Sequence, residues 1–131
     1  MQTYCTKTDI EALWPPASLL ASVDDDSTGT LSPTEDGYIT RAIERAANLI
    51  NSRLAMRYKL AELAGNAWCR DANAAIAAYW LSTRQGLSAP DHLEQQYETY
   101  LTTLERIVAG QLRVPEAAES HEAGPAVISN S

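Results

Sequence analysis

The chain has 131 residues, 45% of them apolar, and a formal net charge of −7. That is enough for one domain with its own core, and it argues against wholesale disorder. It also argues against direct nucleic-acid binding, because neutralising phosphates needs a basic face.

The aromatic load is six Tyr and three Trp with no Phe. Rings with a polar edge suit half-buried positions and interfaces. The two cysteines, Cys5 and Cys69, are too sparse for a disulfide scaffold and are expected to be reduced thiols. Met1-Gln2-Thr3-Tyr4-Cys5 lacks the basic-then-apolar run of a signal peptide. No apolar stretch approaches the length of a membrane span.

The first predicted element is a short helix over Ile10, Leu13 and Trp14, capped by Thr6 or Thr8, with Asp9 and Glu11 in its first turn. Pro15-Pro16 ends it, because a proline removes a donor and disfavours helix in the residue before it. Residues 17–23 can form about two turns, with Leu19, Leu20 and Val23 inward.

The next segment, Asp24-Asp25-Asp26-Ser27-Thr28-Gly29-Thr30-Leu31-Ser32-Pro33-Thr34-Glu35, supports two readings. Its spacing fits an EF-hand calcium loop, with Asp24, Asp26, Thr28, Thr30 and Glu35 as oxygen ligands and Gly29 at the sharp turn. Against that, Thr28 is a neutral ligand and no second loop is present to pair with. The same residues also fit an acidic surface turn whose Asp side chains bond their own backbone. In that reading Ser32-Pro33-Thr34-Glu35 is a capping box with Pro at the first helical position.

Residues 39–57 carry the helix around which the rest is arranged. Ile39, Ala42, Ile43, Ala46, Leu49, Ile50 and Leu54 recur at spacings of three and four. Arg41, Glu44, Arg45, Asn48, Asn51 and Ser52 take the outer face. A link follows, tacked down by Leu60 and Leu63 and broken at Gly65. Asn66 caps a helix over residues 67–84 with Cys69, Ala72, Ile76, Tyr79, Trp80 and Thr83 inward. Alanines at 74, 75, 77 and 78 let neighbours approach closely, so this is expected to be the most buried helix. Gly86 closes it, and Ser88 to Asp91 opens a last helix over residues 90–109. Leu93, Tyr97, Tyr100, Leu101, Leu104, Ile107 and Val108 form its stripe, and Gly110 stops it. The predicted core includes Leu49, Ile50, Leu54, Ile76, Trp80, Tyr97, Leu101 and Leu104.

From residue 111 the character changes to small, acidic and Pro/Gly-containing. The expectation is an all-α fold, a small bundle of about four helices over residues 1–110, with an extended C-terminal tail over 111–131. Leu112, Val114, Val127 and Ile128 are the candidate partner-binding residues of that tail, which could pair with a partner's sheet edge. A frayed terminus is the alternative.

Chemistry for catalysis is not visible. His92 and His121 have no Cys or carboxylate at metal-ligand spacing, and Cys69 lies on an apolar helix face. Neither a Gly-rich phosphate loop nor a nucleophile elbow occurs. An enzyme is therefore not expected.

A short capped helix, the acidic D-x-D-x-T-G-x-L turn, the long ITRAIERAANLINSRLAMRY run, an Ala-rich helix and a Tyr-rich helix ending at Ala109-Gly110 follow one another. This order resembles the head–tail connector (adaptor) proteins of tailed bacteriophages, especially the family of Mu-like phages and prophages. In that family the acidic turn precedes a long helix closing on an Arg-Tyr pair, here Arg57-Tyr58. The resemblance covers roughly residues 3–114. Thr28 stands where an acidic residue is often found, and the link after Tyr58 lacks a proline.

The resemblance implies an α-helical subunit of the virion neck, assembled in the bacterial host cytoplasm. It implies a homo-oligomeric ring of about twelve copies, bridging the portal protein to a downstream neck or tail-completion protein. The alternatives are another neck component, a stopper or tail terminator, and a calcium-binding helical module built on the acidic turn.

Overall fold

The computed structural model describes residues 2–117. Three of the five described α-helices begin where a side chain caps them, and the other two begin at a proline with no side-chain cap. Asp9 accepts the Thr6 backbone N–H at 2.9 Å and opens α1, Lys7–Leu13. The two prolines end α1 and start α2, Pro16–Val23, with Pro16 at a first helical position that has no amide to satisfy. Ser32 accepts the Glu35 N–H at 3.1 Å while Glu35 accepts the Ser32 N–H at 3.0 Å. This capping box starts α3, Pro33–Leu54. A single 3-10 turn, Leu60–Leu63, forms the link. Asn66 accepts the Cys69 N–H at 3.0 Å and opens α4, Ala67–Thr83. The last helix, α5, spans Asp91–Val108. The described residues are all-helical and contain no strand.

The helix α4 is the centre of the bundle. Every residue from Ala72 to Ala78 is buried, and α1, α2, α3 and α5 all pack on it. Five of those seven residues are alanines, so the neighbouring helices can come close on every side. Ile39, Ile43, Ile50 and Leu54 of α3 fill one side. Leu93, Leu104 and Ile107 of α5 fill another, and Ile10, Trp14, Leu19 and Val23 close the third.

The core is narrower than the spacing predicts. Ile50, Leu54, Ile76 and Leu104 are buried, whereas Leu49, Trp80, Tyr97 and Leu101 are half-buried and pack on its rim. The reason is the alanine helix itself: close approach leaves room at the centre for few large side chains. The rim rings find one another instead. Tyr79 stacks on Tyr97 at 3.9 Å, and Trp68 meets Tyr100 edge-on at 5.7 Å.

Asn73, wholly buried in α4, is the most deeply buried of three buried polar residues among those described, the others being Glu35 and Ser82. The Asn73 amide donates to the Ile43 carbonyl at 3.0 Å, and its oxygen accepts the Tyr4 N–H at 2.9 Å. Asn51, expected to face solvent, instead donates to the Gln2 carbonyl at 2.9 Å and accepts from the Tyr4 hydroxyl. Gln2 in turn donates to the Leu60 carbonyl at 2.6 Å. The segment before α1 is thus an extended strap bonded across α3 and α4.

The body does not end at Gly110. After α5 the chain turns back: the Val114 N–H donates to the Tyr58 hydroxyl at 3.0 Å, and the Pro115 carbonyl accepts from Asn66 at 2.8 Å. Val114 is 1% exposed, so it belongs to the chain's own core. This corrects its assignment as a partner contact and moves the boundary of the helical body past residue 114. Tyr58, just beyond α3 and itself buried, supplies the anchor.

Candidate functional site

The acidic turn joins α2 to α3. Asp24, Asp26 and Glu35 each place one carboxylate oxygen within 4.8 Å of the others. The turn is also closed by its own hydrogen bonds. Asp24 accepts the Thr28 N–H at 3.1 Å with one oxygen and the Gly29 N–H at 2.8 Å with the other. Gly29 has φ +82°, the left-handed conformation that a glycine adopts without strain. Glu35 accepts the Ser32 N–H with one oxygen and the Asp25 N–H with the other, the latter at 2.7 Å. The Thr28 hydroxyl donates to the Thr30 carbonyl at 2.9 Å. These contacts occupy at least one site on four of the five candidate ligands, and they are those of a capped Asx-type turn.

Charge in the turn is distributed unevenly. Hydrogen bonds from the Gly29 and Thr28 amides hold the Asp24 carboxyl below its ordinary value. Bonds from the Ser32 and Asp25 amides do the same for Glu35. Asp26 moves the other way, raised by desolvation and by the nearby Glu35 charge. Asp25 points to the far side of the turn. The Arg84 guanidinium grips both its oxygens, at 3.0 and 3.1 Å, and lowers its pKa. Arg84 also donates to the Ser22 carbonyl at 2.9 Å and lies 4.2 Å from the Tyr38 ring centre. The turn is therefore fastened to the end of α4.

Next to this joint an open groove of about 200 Å³ runs between α3 and α4, lined by Tyr38, Arg41, Ala42, Arg45, Trp80 and Leu81. Arg45 lies over the Trp80 ring at 4.8 Å and Arg41 over Tyr38 at 5.3 Å. Sequence spacing placed Arg41 and Arg45 on a solvated face but did not reveal the two rings beneath them. Tyr38 lies about one turn before Arg41 and was legible as its neighbour, whereas Trp80 comes from α4 and meets Arg45 only once the helix pairing is known.

The remaining candidates fall as follows. Leu112 is 41% exposed and open to a partner. Val127, Ile128 and His121 lie outside the described residues. Cys5 and Cys69 are free thiols, both buried, and desolvation pushes each up to about 12. A thiol so placed is a poor nucleophile. His92 pairs with the Leu13 carbonyl at 2.9 Å, tying α5 to α1. No described helix is long and apolar enough to cross a membrane.

No curated protein and no solved structure matches the chain. A family model does: the one described as Bacteriophage Mu, Gp36 matches residues 4–128, from the strap before α1 to beyond the end of the helical body. The chain therefore belongs to the Bacteriophage Mu Gp36 family and is a Mu-like phage protein of the structural or morphogenesis class.

Proposed function

We propose that this protein is a head–tail connector (adaptor) subunit, forming a ring in the virion neck between the portal and the downstream neck or tail protein. The observation that carries this is the match to the phage family over nearly the whole chain. The order of elements supports it too: a capped acidic joint, one long helix and a small-residue central helix. Buried, high-pKa thiols and a histidine spent on a backbone carbonyl favour a structural over a catalytic role. Leu112, Val127 and Ile128 are the proposed partner contacts, each copy binding weakly and the ring binding by avidity. The acidic turn acts in this reading as a rigid joint rather than a calcium site, because Asp24 and Glu35 each already hold two backbone amides.

The test is deletion of the gene from the phage or prophage that carries it. Electron microscopy of the lysate should show filled heads and free tails that fail to join, and purified protein added to the lysate should restore joining. Joined, infectious particles without the protein would refute the proposal. Arrest before heads form would assign it an earlier step.

A further inference from the structure

Lys7, Lys59, Arg106, Arg41 and Arg45 are exposed cations with no ion pair to any described residue, and of these Arg41 and Arg45 alone lie over described aromatic rings. These two are one helical turn apart, about 6 Å along α3. Each is spread over an aromatic ring, and the groove beneath them is floored by buried Ala42 and Leu81. Arg, Trp and Tyr around a small apolar floor are the residue types in which binding energy concentrates. Arg84, the third cation here, is already committed to Asp25.

The matching feature lies on α5. Asp91, Glu94 and Glu98 are exposed, follow one another at spacings of three and four, and likewise pair with no described cation. Glu94 and Glu98 repeat the one-turn separation of Arg41 and Arg45. Glu105, further along, is taken by Arg53 at 2.7 Å. The two features face different ways. Tyr79 of α4 points to α5, where it stacks on Tyr97, whereas its neighbour Trp80 turns to Arg45. One molecule therefore cannot pair its own groove with its own α5 carboxylates, but two molecules can.

We propose that the Arg41/Arg45 groove receives the Asp91/Glu94/Glu98 face of a second copy of this chain. Two different patches meeting head to tail make a heterologous contact, which closes into a ring when the rotation per copy allows it. The inference rests on the ring reading above and names the surfaces that would build it. Opposite charges one turn apart on two facing helices also fix the register of the contact, and like charges there are strongly disfavoured.

The experiment is sedimentation velocity at rising concentration on the full chain and two charge reversals, Arg41→Glu with Arg45→Glu, and Glu94→Arg with Glu98→Arg. All four positions are exposed, and circular dichroism checks that both variants fold. The wild type should self-associate. Each reversal alone should weaken association by at least about tenfold. An equimolar mixture of the two should restore it, because each negative groove then meets a positive α5. Variants that associate like the wild type, a mixture that does not recover, or a wild type that stays monomeric at every concentration would each overturn the proposal. Loss of association on truncation after Ala117 would also overturn it, assigning the groove to the acidic stretch with Glu119 and Glu122. The connector reading is judged separately, by the joining of heads to tails.

Discussion

Asn73 shows how much one residue can organise. It is fully buried among alanines and bonds both the Tyr4 amide and the Ile43 carbonyl. Replacing it with Ala leaves the part-buried Tyr4 amide without its acceptor and removes a second donor from the Ile43 carbonyl, which keeps its helical bond within α3. We expect a loss of about 1–3 kcal/mol in a denaturant titration, with faster hydrogen exchange at Tyr4. A stability change near zero would mean that water replaces the amide. In the acidic turn, Asp24 and Glu35 have lowered pKa values, so their ionised forms stabilise the fold. The sign is fixed by linkage: that contribution is complete above the ordinary carboxyl values of 3.8 and 4.5 and is lost as pH falls through the lowered folded ones. Asp26 acts the other way and at higher pH: its raised value costs stability as pH rises through 3.8 toward that value. The joint should therefore stay closed at neutral pH and loosen as pH falls below those ordinary values, which backbone amide shifts of Gly29 against pH would follow. A calorimetric calcium titration should show no micromolar site. Micromolar binding that vanishes in Glu35→Gln would convert the turn into a calcium loop.

At the scale of elements, caps and periodicity made the helices readable. Ser32 with Glu35 and Asn66 each sit where the chain turns helical, and Pro15-Pro16 separates α1 from α2. Residue-to-residue pairings across the bundle left no such mark. Nothing local to Asn51, Asn73 or Val114 announces a bond to Gln2, Tyr4 or Tyr58, because the partners are far apart in sequence. Leu101 and Leu104 illustrate the same limit: both lie on the apolar stripe of α5, yet only Leu104 is fully buried. Leu104→Ala should cost about 2–5 kcal/mol and Leu101→Ala distinctly less, as denaturant midpoints would report. Equal costs would mean that the rim is as tightly packed as the centre. Val114→Ala should cost about 2 kcal/mol, while Leu112→Ala should leave stability unchanged. Gly37, inside α3, offers a gain: an added Cβ meets only the flexible end of Arg41, at 3.4 Å. Gly37→Ala should therefore raise stability by about 0.5–1 kcal/mol, a result that a thermal melt would check.

For the whole molecule, the fold is a platform with two accessible features among the described residues, a cationic groove and a carboxylate row on α5, and the described part ends at residue 117. The described core lies before that point, so truncation after Ala117 should keep the helical signal and melting temperature. If the C-terminal residues hold the neck partner, the truncated protein should fail to join heads to tails. Infectious particles made with it would move the docking surface onto the helices. The protein's place in the particle is read by electron cryomicroscopy of the intact neck. A closed ring of five-helix bodies is expected between portal and tail, with residues 2–117 fitting its density. A neck whose density is filled by other chains, with this protein absent from the purified particle, would contradict it.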